Sequence, residues 1–162
     1  AEWLATELNM SLALSENTGK EQLRNYDVVV LGSSVYVGKL LLKKWMKQNA
    51  AALQGRKIFL FVVCGTPPDK KEKLQKYLQV SVPGEIRNRC ETYFLPGRMI
   101  MKELSAWDRF MIKMGALLEK EPETKKEKRK EYDGVKKENL NELLKAIKKI
   151  VPAKSEILQA VS

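Results

Sequence analysis

Two unbroken apolar runs constrain the fold more than any other feature of the sequence. DVVVLG at 27–32 and KIFLFVV at 57–63 are rich in β-branched and aromatic residues, and neither alternates apolar with polar positions. A strand with one solvent-exposed face alternates apolar and polar residues, whereas a strand covered on both faces is apolar throughout. We therefore predict two neighbouring strands in a parallel sheet that has helices on both faces.

The remaining periodicity predicts that strands alternate with helices. MSLAL at 10–14 and CETYFLPG at 90–97 are short apolar runs bounded by turn residues, which indicates two more strands. Helical spacing of apolar residues predicts helices at 1–8, 39–53, 71–79, 102–118 and 136–151. Such an order is typical of an α/β fold with a mostly parallel sheet. We expect one domain over 1–151, followed by a loosely docked tail over 152–162.

The charge and the missing residue types narrow the chemistry. The chain has 30 basic and 20 acidic residues, a formal charge of +10, and no histidine. A Ser-His-Asp triad, a Cys-His dyad and a histidine-based metal site are therefore excluded. Cys64 and Cys90 match neither a zinc motif nor Cys-x-x-Cys, so we expect both to be buried and predict no metal site.

Polar and glycine residues follow both apolar runs. In open α/β sheets the ligand lies beyond the carboxyl ends of the strands, where these loops are expected. The first loop offers close backbone approach, hydroxyls and a flat ring: Gly32, Ser33, Ser34, Val35, Tyr36 and Gly38. The second is a stiff polar turn with Cys64, Gly65, Thr66 and two prolines. We expect Ser34, Tyr36 and Thr66 to converge on one crevice for a planar ligand; alternatively, Gly-Ser-Ser only turns the chain and caps a helix.

Three stretches of the sequence carry a family resemblance. YDVVVLGSSVYVGKLLLKKWMKQ at 26–48 resembles the third strand and flavin loop of flavodoxin-like proteins. RNRCETYFLPGRM at 87–99 and WDRFMIKM at 107–114 resemble the last strand and following helix of the short menaquinone-dependent protoporphyrinogen oxidases. The resemblance extends over roughly residues 20–150.

The resemblance implies a flavodoxin-like three-layer sandwich whose parallel sheet has the order 2-1-3-4-5, with FMN at the strand tips. Ser33, Ser34, Val35, Tyr36 and Gly38 would contact the ribityl chain and ring, and Cys64, Gly65 and Thr66 would border the ring from the other side. The family's first strand and phosphate loop should precede AEWLATEL and are missing from the sequence. Because that strand is central, we expect about 15 further residues upstream.

The function implied is an FMN-dependent oxidoreductase of the protoporphyrinogen-oxidase type. A reduced small molecule would transfer a hydride equivalent to the flavin, and a quinone or similar acceptor would reoxidise it. One alternative is a flavodoxin-type electron carrier without its own substrate, although the basic charge counts against it. Another is a flavin-free basic module that binds nucleic acid or another polyanion. Since the aromatic platform of common RNA modules is missing, we do not expect nucleic acid as the partner.

A second candidate contact region runs from Arg98 to Met114. Arg98, Met99, Lys102 and Arg109 combine flexible apolar groups with cations, which suits a membrane surface or an amphipathic acidic substrate; a hydrophobic staple is the alternative. We predict that Met111 and Met114 pack in the core. The run at 120–130, with six basic and three acidic residues, is expected to be solvated, with a patch for anionic lipid as the alternative.

No apolar run approaches the roughly 20 residues that a membrane-spanning helix needs. We therefore expect a cytoplasmic protein, with peripheral contact at the inner membrane face as the alternative.

Overall fold

The computed structural model describes residues 1–117, 131–150 and 157–161, and it confirms an α/β fold with a mainly parallel sheet. The strands are β1 Ser11–Leu14, β2 Val28–Tyr36, β3 Lys39–Leu40, β4 Lys57–Cys64, β5 Cys90–Pro96, β6 Arg98–Met99, β7 Tyr132–Asp133 and β8 Ile157–Val161. The helices are α1 Glu2–Leu8, α2 Lys20–Leu23, α3 Lys43–Asn49, α4 Lys71–Ser81, α5 Gly84–Arg87, α6 Ala106–Leu117 and α7 Asn141–Ile150. Short 3₁₀ turns lie at Ser15–Asn17, Met101–Glu103 and Lys137–Leu140.

The central sheet has the order β1-β8-β2-β4-β5, and every neighbouring pair in it is parallel. Strand β3 adds an antiparallel edge to the end of β2, and β6 pairs with β7 in a separate two-stranded ribbon. Both long apolar runs are buried inside the sheet, as predicted: Val29, Val30, Ile58 and Phe59 have no exposed surface.

Helices cover both faces of the sheet. One face packs against α2 to α5 through a cluster that contains Leu23, Met46, Leu78 and Ile86. The other face packs against α1 and α7 through Leu4, Leu143 and Ile147. Because successive residues of a strand point to opposite faces, each apolar run supplies both clusters at once. This explains why neither run alternates.

Strand β2 is longer than the sequence indicated. Its pairing with β4 continues through Ser33 and Ser34, so Gly-Ser-Ser belongs to the strand and not to a loop. The chain then reverses at Val37 and Gly38, both with positive φ (45° and 74°). Two central residues with positive φ are what a tight two-residue hairpin needs. The predicted helix from 39 is correspondingly shorter, because Lys39–Leu40 form β3.

The centre of the sheet differs most from expectation. Residues 157–161 were predicted to belong to a tail, yet they form β8, parallel to β1 on one side and β2 on the other. The segment is apolar enough for this position, since Leu158 and Ala160 are buried. A strand in this position satisfies the backbone groups that β1 and β2 would otherwise expose to each other across a gap. The expected gap is therefore filled from within the chain.

One side chain of β8 fits its surroundings poorly. Gln159 has no exposed surface, and neither amide atom has a hydrogen-bond partner among the described residues. Strand alternation directs it away from Leu158 and Ala160, to the face covered by α1 and α7. A buried amide without partners costs free energy that an apolar side chain of the same shape would not.

Replacing Gln159 with methionine should therefore stabilise the fold. We expect the free energy of unfolding of Gln159→Met, measured by urea denaturation, to rise by about 1–3 kcal/mol. Gln48→Met, at an exposed position of α3, is the matched control and should change it by less than about 0.5 kcal/mol. A loss of stability in Gln159→Met would mean that the amide has favourable partners.

Candidate functional site

The candidate site lies at the carboxyl edge of β2 and β4. Ser34 is the register partner of Val63, so the two strands end side by side. Val35, near the end of β2, packs against a small cluster that contains Cys64 and Tyr77. The two predicted loops are thus brought together, as the parallel arrangement requires.

The hydroxyl of Ser33 is used inside the fold. Ser33 is 2% exposed. Its Oγ accepts a hydrogen bond from the Leu42 backbone N–H at 3.2 Å and donates one to the Ser34 carbonyl at 3.2 Å. It therefore holds the end of β2 to Leu42, the residue before α3. This differs from the structural alternative, because Gly-Ser-Ser continues the strand and α3 has no side-chain cap. Ser34, the next residue, is half-buried on the opposite face of the sheet.

Gly32 serves packing and not the approach of a ligand. A Cβ at this position would collide with the ring of Phe61 on the neighbouring strand. Gly38, in contrast, lies in the exposed hairpin turn, and nothing is within 4 Å of its Cβ position. Of the two glycines in this stretch, only Gly38 leaves open space beside the backbone.

Tyr36 is half-exposed and is tied to α6. Its hydroxyl donates a hydrogen bond to Asp108 Oδ1 at 2.9 Å. Ser105 Oγ donates to the other oxygen, Oδ2, at 2.6 Å, and these two bonds hold the pKa of Asp108 below its usual range. The bond between Tyr36 and Asp108 also raises the pKa of Tyr36, because an ionised phenol could no longer donate it. Tyr36 therefore stays protonated at neutral pH, with its ring held at the sheet edge.

Thr66 turns towards a different helix. Its Oγ1 shares a 2.9 Å hydrogen bond with the hydroxyl of Tyr77 in α4. Cys64 is buried in the same cluster, and burial raises the pKa of its thiol. The hydroxyls of Tyr36 and Thr66 thus bond to different helices, α6 and α4. Their convergence with Ser34 on one crevice stays a prediction.

Tyr132 covers the edge between these side chains, and sequence reasoning missed it. Gly65 is exposed, and a Cβ on it would collide with the Tyr132 hydroxyl. Burial, followed by the nearby Cys64 and Tyr77, raises the pKa of Tyr132. The hydroxyl end of the Tyr132 ring therefore fills the space that a side chain would need at the one glycine of the β4 loop. The signal in the sequence was weak: a single aromatic residue at the end of a charged stretch.

Backbone hydrogen bonds hold Tyr132 in place. The N–H of Gly97 donates to the Cys64 carbonyl at 2.9 Å, and the N–H of Gly134 donates to the Gly97 carbonyl at 2.9 Å. A Cβ at Gly134 would come within 2.6 Å of the Cβ of Pro96. Only glycine lets the β6–β7 ribbon approach β4 and β5 this closely.

Two cavities flank this edge. A small one of about 120 Å³ lies under Tyr132 and is lined by 64–68 and 94–97. An open cleft of about 660 Å³ lies between the β2–β3 hairpin and α4 and is lined by Gly38, Lys39, Glu72, Lys73, Lys76, Tyr77 and Val80. Three lysines against one glutamate make the larger cleft attractive to anions.

The residues of the second candidate region, from Arg98 to Met114, lie in different settings in the structure. Arg98 forms an ion pair with Glu103 at 2.9 Å, and Met99 is the ribbon partner of Tyr132. Lys102 and Arg109 are exposed. Met114 is 37% exposed, so the prediction that it packs in the core is wrong, and Met111 is half-buried. The charged run at 120–130 lies outside the described residues.

Two further findings concern the described residues alone. No three His, Cys, Asp or Glu side chains lie close enough together there to hold a metal ion. None of the helices in that part of the chain combines the length and apolarity needed to cross a bilayer.

Comparison with known proteins gives one clear finding. A family model described as "Flavodoxin domain" matches residues 1–144. The match includes the predicted site residues, the ribbon and Tyr132, and it excludes β8. No curated protein and no solved structure matches the chain.

The position of Tyr132 predicts how accessible Cys64 is. Because both line the small cavity, we expect alkylation of Cys64 by iodoacetamide to speed up about tenfold in Tyr132→Ala and to stay slow in Tyr132→Phe. Since burial raises the pKa of the Cys64 thiol, the rate should keep rising with pH above about 9.5, where a thiol with the ordinary pKa of about 8.5 is already about 90% ionised. Peptide mass spectrometry would measure the extent of alkylation at Cys64. Cys90, at the opposite end of the sheet, is the internal reference for the comparison between variants. Equal rates in both variants would show that Tyr132 does not shield this edge.

Proposed function

The chain belongs to the flavodoxin-domain family, and from this premise we propose that it is an FMN-dependent oxidoreductase. The coarse function that membership indicates is flavin-linked electron transfer. The observation that supports a ring site in this chain is the contact of Tyr132 with Gly65 at the carboxyl edge of β4. The phenol end of an aromatic side chain already fits against the bare backbone there.

The residues around this edge suit the ring end of a flavin. Val35, Tyr36, Gly65 and Tyr132 would surround the isoalloxazine, and Ser34 and Gly38 would border the ribityl chain. The side chains of Ser33, Cys64 and Thr66 are engaged within the fold. Their contribution would therefore come from backbone N–H and C=O groups, which can pair with the polar edge of the ring.

The chain's own residues would bind and orient the cofactor and exclude water from one side of it. When bound, the flavin accepts two electrons from a reduced substrate and passes them on. Tyr36, protonated and tied to Asp108, keeps its phenol ring in one orientation. No residue is assigned as general acid or base.

An oxidoreductase with its own substrate is favoured over a plain electron carrier by the segment between β5 and α7. This segment adds Tyr132 above the β4 loop and attaches α6 to Tyr36. An electron carrier needs the edge of its flavin ring open to a protein partner. Tyr132 and α6 would instead cover this edge and leave room for a small molecule. The lysine-lined cleft next to α4 would suit an acidic substrate, as protoporphyrinogen is. A quinone is proposed as the acceptor.

Titration of the purified protein with FMN tests the cofactor. We expect saturable quenching of flavin fluorescence, and about tenfold weaker binding in Tyr132→Ala, because aromatic contacts contribute about 0.5–1.5 kcal/mol beyond their buried area. Tyr132→Phe keeps the ring and should bind within about threefold of the unmodified chain. Absence of FMN binding would contradict the proposal, and tighter binding in Tyr132→Ala would contradict the role of Tyr132 as a ring contact.

A second measurement separates the oxidoreductase from the carrier. Protein reconstituted with FMN and reduced anaerobically would be mixed with a soluble menaquinone analogue. Multiple turnovers with protoporphyrinogen as donor support the proposed reaction. Flavin reoxidation only by another redox protein would favour the carrier.

A further inference from the structure

The apolar stripe of α6 faces solvent. Trp107 is 62% exposed, Phe110 51% and Met114 37%, although their helical spacing is that of a core-facing helix. The rings of Trp107 and Phe110 lie against each other with centroids 5.7 Å apart. An exposed cluster of large apolar side chains of this kind marks an interaction surface.

The orientation of the helix is set by hydrogen bonds. Asp108 accepts from Tyr36 at the sheet edge, and it forms a reciprocal capping pair with Ser105 at the beginning of α6. At about 100° per residue, Asp108 and Phe110 lie on nearly opposite sides of the helix. The bond to Tyr36 therefore turns the acidic side towards the domain and the aromatic side outwards.

The outward side also carries positive charge. Arg109 and Lys113 are exposed, one turn apart, next to Phe110. Asp108 is the only acidic residue of α6, and it faces Tyr36. Lys102, just before the helix, is exposed as well. The free surface of α6 thus combines aromatic, thioether and cationic groups.

We propose that α6 is a membrane-surface helix that lies flat on an anionic lipid bilayer. Trp107, Phe110 and Met114 enter the boundary between headgroups and acyl chains, and Arg109 and Lys113 contact the anionic headgroups. Its 12 residues extend about 18 Å, too short for a hydrocarbon core of about 30 Å, so the helix lies on the bilayer and does not cross it.

The positive charge of this surface favours an anionic bilayer over a second copy of the chain as the binding partner. Two copies meeting through α6 would bring Arg109 and Lys113 of both together, and each carries a formal charge of +10. An anionic surface gains from both the local cations and the net charge. This proposal is independent of flavin binding.

Sedimentation with lipid vesicles tests the proposal. We expect the chain to bind vesicles of phosphatidylglycerol and phosphatidylcholine, and to bind pure phosphatidylcholine at least about tenfold more weakly. Trp107→Ala combined with Phe110→Ala should reduce binding to the anionic vesicles by about tenfold or more. Trp3→Ala is the matched control, because Trp3 is 45% exposed on α1 and should not matter.

Two matched double variants test how much the cations of α6 contribute to the preference for anionic vesicles. Arg109→Gln with Lys113→Gln should remove most of the preference for phosphatidylglycerol. Lys43→Gln with Lys47→Gln removes two exposed cations at the same spacing on α3 and should leave the preference intact. All the replaced side chains are exposed, so circular dichroism should show the folded spectrum in each variant.

Three results would overturn the proposal. The chain could remain in the supernatant with anionic vesicles, the α6 aromatic variant could bind as tightly as the unmodified chain, or both charge variants could lose binding equally. Dimerisation in analytical ultracentrifugation that the α6 aromatic variant abolishes, without vesicle binding, would assign the surface to a second copy.

Discussion

The parallel ladder between β2 and β4 is the contact on which the rest of the structure depends. It runs from Val28 opposite Lys57 to Ser34 opposite Val63. Each strand supplies apolar side chains to both covering layers, so the same ladder organises both cores. It also brings two strand ends to one edge, where backbone groups and Gly65 become accessible. The candidate site is thus a consequence of how the core is built.

Residues 98–117 and 131–134 add to this framework the contacts on which both proposals rest. The ribbon places Tyr132 over Gly65 through backbone contacts that only glycine allows at Gly134. The same residues include α6, which is attached to Tyr36 by one hydrogen bond. The proposed ring site and the outward apolar helix are therefore neighbours, connected through Tyr36.

The fold was predictable where hydrophobic patterning is strong, and the site was predictable only in part. The runs at 27–32 and 57–63 read as doubly buried strands because burial on both faces leaves a direct trace in composition. Met111 and Met114 of α6 were expected in the core, since periodicity shows that a helix is amphipathic but not which way a hydrogen bond such as Tyr36–Asp108 turns it. Tyr132 and β8 were missed because their partners are distant in sequence: Tyr132 contacts Gly65, and Gln159 lies beside Val30. Ser33 stays a predicted ligand contact, and its hydroxyl also accepts a hydrogen bond from the Leu42 N–H, a contact that the sequence alone does not reveal.

The central position of β8 has a kinetic consequence. During synthesis β1 emerges first, but among the described residues its only strand partner is β8, which the ribosome adds more than 140 residues later. At about 5–20 residues per second, β1 waits roughly 7–30 s before this partner is available. Over that interval the unpaired edges of β1 offer a template for association with other chains, and β1 joins the sheet only after residues 157–161 have been translated.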